Sequence, residues 1–124
     1  MNGHRQRFGR TRRLTSTEEH DAVLAHPTLR CRGRLLSILA RDAGMDHPRL
    51  GLIVPRRHVK RAVERNRIKR QIRECFRESQ AVLPPLDIVV MTHAAASGCE
   101  KAQLRASLAQ GFEDLTRKFD EGRR

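Results

Sequence analysis

Between Arg61 and Ser79 the chain contains neither Gly nor Pro, and Ile68, Ile72, Cys75 and Phe76 recur so that they share an arc of about 100° on a helical wheel. That spacing predicts an amphipathic helix with a defined core face. Asn66, Arg70, Arg73 and Arg77 recur on the opposite side and form a stripe able to follow a phosphate backbone. Residues 56–77 hold the basic groups Arg56, Arg57, Lys60, Arg61, Arg65, Arg67, Lys69, Arg70, Arg73 and Arg77 against only Glu64 and Glu74. The whole chain of 124 residues has a net charge of +12, so two-thirds of it sits in this short stretch, as a footprint for a polyanion. Val59 and Val63 fall on the basic side of the same wheel, so the apolar pattern changes phase near residue 64 and the first turn must pack against something else.

Other segments give weaker but consistent signals. Ser16 and Glu19, or Thr15 and Glu18, stand at capping-box spacing, so a first helix is expected over about 16–25, closed by Pro27. The run from Leu29 to Ala40 predicts two strands turning near Gly33, and Leu50–Val54 a third strand stopped by Pro55. Pro84-Pro85 interrupts the chain, Asp87–Met91 predicts a buried strand, and Ala94–Gly98 a loop. Leu104, Leu108, Phe112, Leu115 and Phe119 then define a final helix over about 100–119. The third and fourth strands are separated by a helical crossover long enough to make them parallel. The expected fold class is therefore α/β, an α+β two-layer sandwich in the order α-β-β-β-α-β-α, with one mixed sheet of about four strands. One domain is expected over 1–124: a basic extension at 1–13, a folded core at 14–119 and a tail at 120–124.

No apolar run approaches the roughly 20 residues that span a bilayer, and the Arg-rich start has no apolar signal region, so a cytoplasmic location without membrane contact is expected. Cys31, Cys75 and Cys99 are widely spaced and form no Cys-x-x-Cys pair, and the six His residues show no ligand spacing. No metal site follows from either set. Cys75, at the centre of the apolar arc, is expected in the core.

The segment Lys60–Phe76, KRAVERNRIKRQIRECF, with its Arg65-Asn66-Arg67-Ile68-Lys69-Arg70 block, resembles the signature of the bacterial ribonuclease P protein component. Its flanks agree: Gly51-Leu52-x-Val54 and Arg56-Arg57 before it, Leu83-Pro84 and Asp87-Ile-Val-Val after it, with Leu14, Glu18 and the closing Leu/Phe helix. The likeness covers roughly residues 8–119. It implies a fold like the second domain of a small-subunit ribosomal protein, with a left-handed crossover between the parallel strands. It also implies a non-catalytic subunit that helps a catalytic RNA remove the 5′ leader of precursor tRNA by endonucleolytic hydrolysis. The Mg2+ of that reaction would be held mainly by the RNA, and no obligate protein partner is implied. By the same likeness Arg56, Arg57, Lys60, Arg61, Arg65, Asn66, Arg67, Lys69, Arg70 and Arg73 would face the ribozyme RNA. A leader cleft between the first helix and the sheet would carry His20, Leu24, Leu36 and Ile38.

Aromatic residues expected in that cleft are missing, for the chain has no Tyr or Trp. A leader there would be held by phosphate contacts and aliphatic packing, with His20 either stacking on a base or merely lying on the helix surface. Pro55 stands where a small or hydroxyl residue is expected and supplies no backbone donor. A ribosomal or general RNA-binding protein fits the composition equally well, and only the motif separates the two. An autonomous nuclease lacks a clustered acid and His set, and a helix-turn-helix lacks the short helix before the basic one.

Overall fold

The computed structural model describes residues 13–14 and 16–122. Its elements are α1 (Thr17–Ala25), β1 (Leu29–Arg32), β2 (Leu36–Arg41), β3 (Arg49–Ile53), α2 (Ala62–Ser79), β4 (Asp87–Thr92) and α3 (Lys101–Gly122). One four-stranded sheet has the order β1-β2-β4-β3, in which β3 and β4 run parallel and the other neighbours antiparallel. This is the architecture expected from the sequence. The segment expected to be a plain loop holds a turn of 3-10 helix at Ala94–Ala96, and α3 continues to Gly122, so residues 120–122 belong to a helix and not to a tail. Residues 1–12 and 123–124, and the capping alternative through Thr15, lie outside the described residues, while Arg13 forms a parallel bridge with Leu50.

Strand alternation gives the sheet two different faces. Cys31, Ile38, Val90 and Leu52 form one cross-strand row, and Leu29, Ala40, Ile88 and Leu50 the next. Both rows face the main core, where Ile68, Ile72, Cys75 and Phe76 of α2 meet Leu104, Leu108, Phe112 and Leu115 of α3. Phe76 and Phe112 pack edge to face, with ring centroids 6.4 Å apart. Gly111 lets α3 come this close, since a Cβ there would sit 2.4 Å from Cδ1 of Ile38. The opposite face carries Leu39 and Val89, which cluster with Leu14, Val23, Leu24 and Ile53 beneath α1.

Helix α1 begins on the capping box read from the sequence: Ser16 Oγ accepts from the Glu19 amide at 3.1 Å, and Glu19 Oε1 accepts from the Ser16 amide at 3.2 Å. The second oxygen of Glu19 receives Nη1 of Arg49 at 3.1 Å. Arg49 also grips Asp87 through two bonds of 2.7 and 2.8 Å. One guanidinium thus ties α1, β3 and β4 together, and its bonds to Asp87 hold its pKa above the ordinary value. Val59 finds its packing partner in the main core, where it lies before α2 and is fully buried. Val63, in the first turn of α2, has no such role and is 77% exposed.

Replacing Arg49 by Met should leave the buried Asp87 carboxylate without its cation and lower unfolding stability by about 3 kcal/mol. Glu19→Gln, which keeps the cap and breaks only a half-exposed pair, should cost less than about 1 kcal/mol. Urea unfolding followed by circular dichroism measures both, and equal losses would contradict the central role of the Arg49–Asp87 pair.

Candidate nucleic-acid interface

The core arc of α2 fixes the rotation of that helix and so decides where each basic side chain points. Asn66, Arg70, Arg73 and Arg77 are exposed along its outer side, and with Lys69 and Glu74 they line an open groove of about 470 Å³. Glu74 is directed to Arg105 of α3 at 3.7 Å. Among the described residues Lys69, Arg70, Arg73 and Arg77 make no ion pair with an acid. Arg56, Arg57, Lys60 and Arg61 continue this basic surface as exposed residues ahead of the helix.

Two members of the motif do different work. Arg65 donates through Nη1 to the carbonyls of Val59 and Lys60, at 3.1 and 2.9 Å, and so closes the turn that delivers Val59 to the core. Arg67 reaches the carbonyl of Cys99 at 3.3 Å and lies 3.7 Å from Glu64, which itself accepts from the amide of Gly98. Gly98 has φ 76°, a left-handed conformation suited to glycine, so this pair braces the turn leading to α3. Sequence spacing treats all the arginines of the block alike; their separation into braces and open cations depends on which backbone carbonyls lie near each one.

The expected cleft residues are divided by the sheet. Leu24 and His20 lie on the α1 side, where Leu24 borders the small cluster and Nδ1 of His20 donates to the Ser16 carbonyl at 2.9 Å. Leu36 and Ile38 lie on the other side, buried at 3% and 0% exposure in the main core against α3, and this corrects their expected place in the cleft. Adjacent strand residues point to opposite faces, so a one-residue error in phase exchanges the surfaces completely. Ser37, Leu39 and Arg41 are the β2 residues on the α1 side of the sheet. Beyond α1, the row Arg32, Ser37, Met91 and Ile53 crosses the sheet with its side chains exposed or half-buried, and exposed Arg30 flanks Leu39.

His93 closes the end of that row, its Nε2 2.8 Å from Ser37 Oγ. Burial, followed by the charges of Arg32 and His58, depresses the His93 pKa. Burial raises the thiols of Cys31, Cys75 and Cys99, which are all free and buried, in keeping with Cys75 as a core residue. Among the described residues no three His, Cys, Asp or Glu side chains converge in a metal-binding group, and no helix is long and apolar enough to cross a membrane.

The His93 shift has a definite consequence for folding. Its neutral form is favoured in the folded chain, so its contribution is fully present above an unfolded pKa of about 6.5 and is lost as pH falls toward the folded value. His93→Gln should therefore make the loss of stability below about pH 6.5 less steep, as read from urea midpoints across a pH series. An unchanged pH profile would show that His93 is not held neutral by its surroundings.

The family model for Ribonuclease P matches residues 8–116. The ribonuclease P protein component of Ectopseudomonas mendocina is 43% identical over 110 residues, covering 89% of this chain and 82% of that protein. The corresponding protein of Pseudomonas putida is 40% identical over 112 residues, covering 90% and 84%. Among solved structures, the RNase P protein of Thermotoga maritima superposes with a TM-score of 0.73 at 28% identity, over 82% of this chain and 96% of that one. That of Staphylococcus aureus gives a TM-score of 0.77 at 25% identity, over 82% and 93%.

Proposed function

Because the chain belongs to the ribonuclease P protein family, we propose that it serves as the protein subunit of that endoribonuclease, binding the ribonuclease P RNA and the 5′ leader of precursor tRNA. Partnership with the ribonuclease P RNA follows from family membership. The observation that carries the reading is the run of cations on the outer side of α2 and the turn before it, unpaired with acids and held outward by a buried apolar face. Such a surface binds a phosphate backbone by releasing its counterions. A general RNA-binding protein would share that surface, but not the family motif that covers most of the chain.

In this reading the protein contributes no catalytic group. Phosphodiester hydrolysis would depend on Mg2+ held mainly by the RNA, and the protein would position RNA and substrate in the cytoplasm. Arg56, Arg57, Lys60, Arg61, Asn66, Lys69, Arg70, Arg73 and Arg77 would face the RNA subunit, while Arg65 and Arg67 act mainly by bracing the loops beside them. The leader would lie on the sheet face next to α1, against Leu24, Leu39, Ile53 and Met91, with its phosphates toward Arg30 and Arg32. Aliphatic walls of this kind pack against sugars and bases with little regard to base identity. Restoration of precursor tRNA cleavage by the ribonuclease P RNA at low magnesium is the direct test, and failure to restore it would favour a general RNA-binding role.

Arg70→Ala with Arg77→Ala should keep the circular dichroism spectrum and reduce the slope of log affinity for the RNA subunit on log salt by about 1.5 to 2. An unchanged slope would place the RNA on another surface. In the assembled complex, Arg30→Ala with Arg32→Ala should weaken precursor tRNA by roughly tenfold and leave leaderless tRNA unaffected, since two phosphate contacts are lost only where a leader is present. Equal weakening of both substrates would remove the leader from this face.

A further inference from the structure

At the outer edge of the sheet, α1, β3 and α2 enclose a recess of about 300 Å³ lined by Arg13, Leu14, His20, Gly51, Lys69 and Arg73, among others. Its position follows from the edge strand: Leu14 donates its amide to the Leu50 carbonyl at 2.9 Å, which carries Arg13 alongside β3 and toward Arg73. Desolvation, followed by the charge of Arg13, lowers the pKa of Arg73. Lys69 adds a further donor on the same side, and among the described residues no Asp or Glu lines the recess. This arrangement is selective for an anion.

His20 adds a second chemistry. A carbonyl only accepts, so the 2.9 Å contact with the Ser16 carbonyl places a proton on Nδ1. In the neutral ring Nε2 is then an acceptor, and among the described residues it has no hydrogen-bond partner. Its ring lies directly over Gly51, where a Cβ would come within 2.6 Å of Nε2, so only glycine admits it. An acceptor beside a cluster of cations does not suit a bare phosphate ion, which is itself rich in acceptors. It suits a ligand carrying a hydroxyl close to its phosphate.

We infer that this recess holds one ribose-phosphate unit of an RNA strand, its phosphate against Arg13, Lys69 and Arg73 and its 2′-hydroxyl donating to Nε2 of His20. Leu14 and Gly51 supply an apolar wall for the sugar. The site distinguishes RNA from DNA by the group that differs between them. It deepens the RNA-binding role proposed above and rests on that role. The strand is either the precursor leader or the ribonuclease P RNA, which present the same ribose-phosphate chemistry.

Binding of a short single-stranded RNA, and of DNA of matching sequence, to the full-length protein tests the assignment, using fluorescence anisotropy at pH 8. The protein should prefer RNA by about three- to tenfold, the worth of one hydrogen bond. His20→Ala should abolish that preference while leaving DNA affinity in place, and His20→Gln, whose side-chain carbonyl also accepts, should retain most of it. Arg73→Ala should weaken both strands alike. Equal affinity of the unaltered protein for RNA and DNA, or an undiminished preference in His20→Ala, would overturn the recess assignment and leave RNA binding as such intact. Failure to bind either strand would instead remove the proposed RNA-binding role. In the assembled complex, sensitivity of precursor tRNA affinity to a fully 2′-deoxy leader, lost in His20→Ala, would identify the leader as the strand. Weaker binding of His20→Ala to the RNA subunit would identify the ribozyme, and no response in either quantity would overturn the site.

Discussion

The arc of Ile68, Ile72, Cys75 and Phe76 is buried between α3 and the sheet, and this burial fixes the orientation of α2. Each large apolar side chain taken from water contributes about 1.5–3 kcal/mol, so rotating the helix by even a quarter turn would forfeit several contributions together. Cations on the other side gain almost nothing from such packing. Their outward placement is a consequence of what the helix must bury, and it is maintained without salt bridges to hold each side chain in place. Edge-to-face packing of Phe76 on Phe112 adds directional preference to the same contact.

An array of like charges repels itself, yet water and salt reduce that cost for exposed groups over a screening length of about 8–10 Å. An RNA backbone replaces the screening ions and removes the repulsion together. Arg49, Arg65 and Arg67, which are among the cations that do make structural bonds, lie where carbonyls or carboxylates approach closely. Their removal would disturb loops or the seat of α1, whereas loss of Arg70 or Arg77 would alter mainly the surface potential. A single basic motif therefore serves folding and recognition through different members.

The two sheet faces divide their tasks in a similar way. One face is sealed by two long helices and gives the chain its main core; the other is covered only in part by α1, leaving a half-open row with Arg32 and Met91. Arg49 keeps α1 seated by joining its first turn to two strands. Because α1 is short, it leaves room on both flanks: the half-open row beyond it on one side and the cationic recess around His20 on the other.

Local pattern was sufficient for the elements and for α2, because helix periodicity, Pro and Gly breaks and the Ser16–Glu19 cap all act within a few residues. The basic footprint was equally legible, since charge is a property of composition. Strand phase was not. Leu39 interrupts the polar side of β2 formed by Ser37 and Arg41, because α1 covers that face in part, and so the exterior is only weakly marked in the sequence. Only pairing with β4 and the approach of Gly111 on α3 decide that Ile38 faces the core. Tertiary structure also separates Arg65 from Arg70, since the carbonyls that bind the first come from a turn whose path depends on burying Val59. The sequence by itself determined which segments are helix or strand and where positive charge accumulates. Which side chains meet, and hence which remain free to bind, was settled by packing between segments distant along the chain.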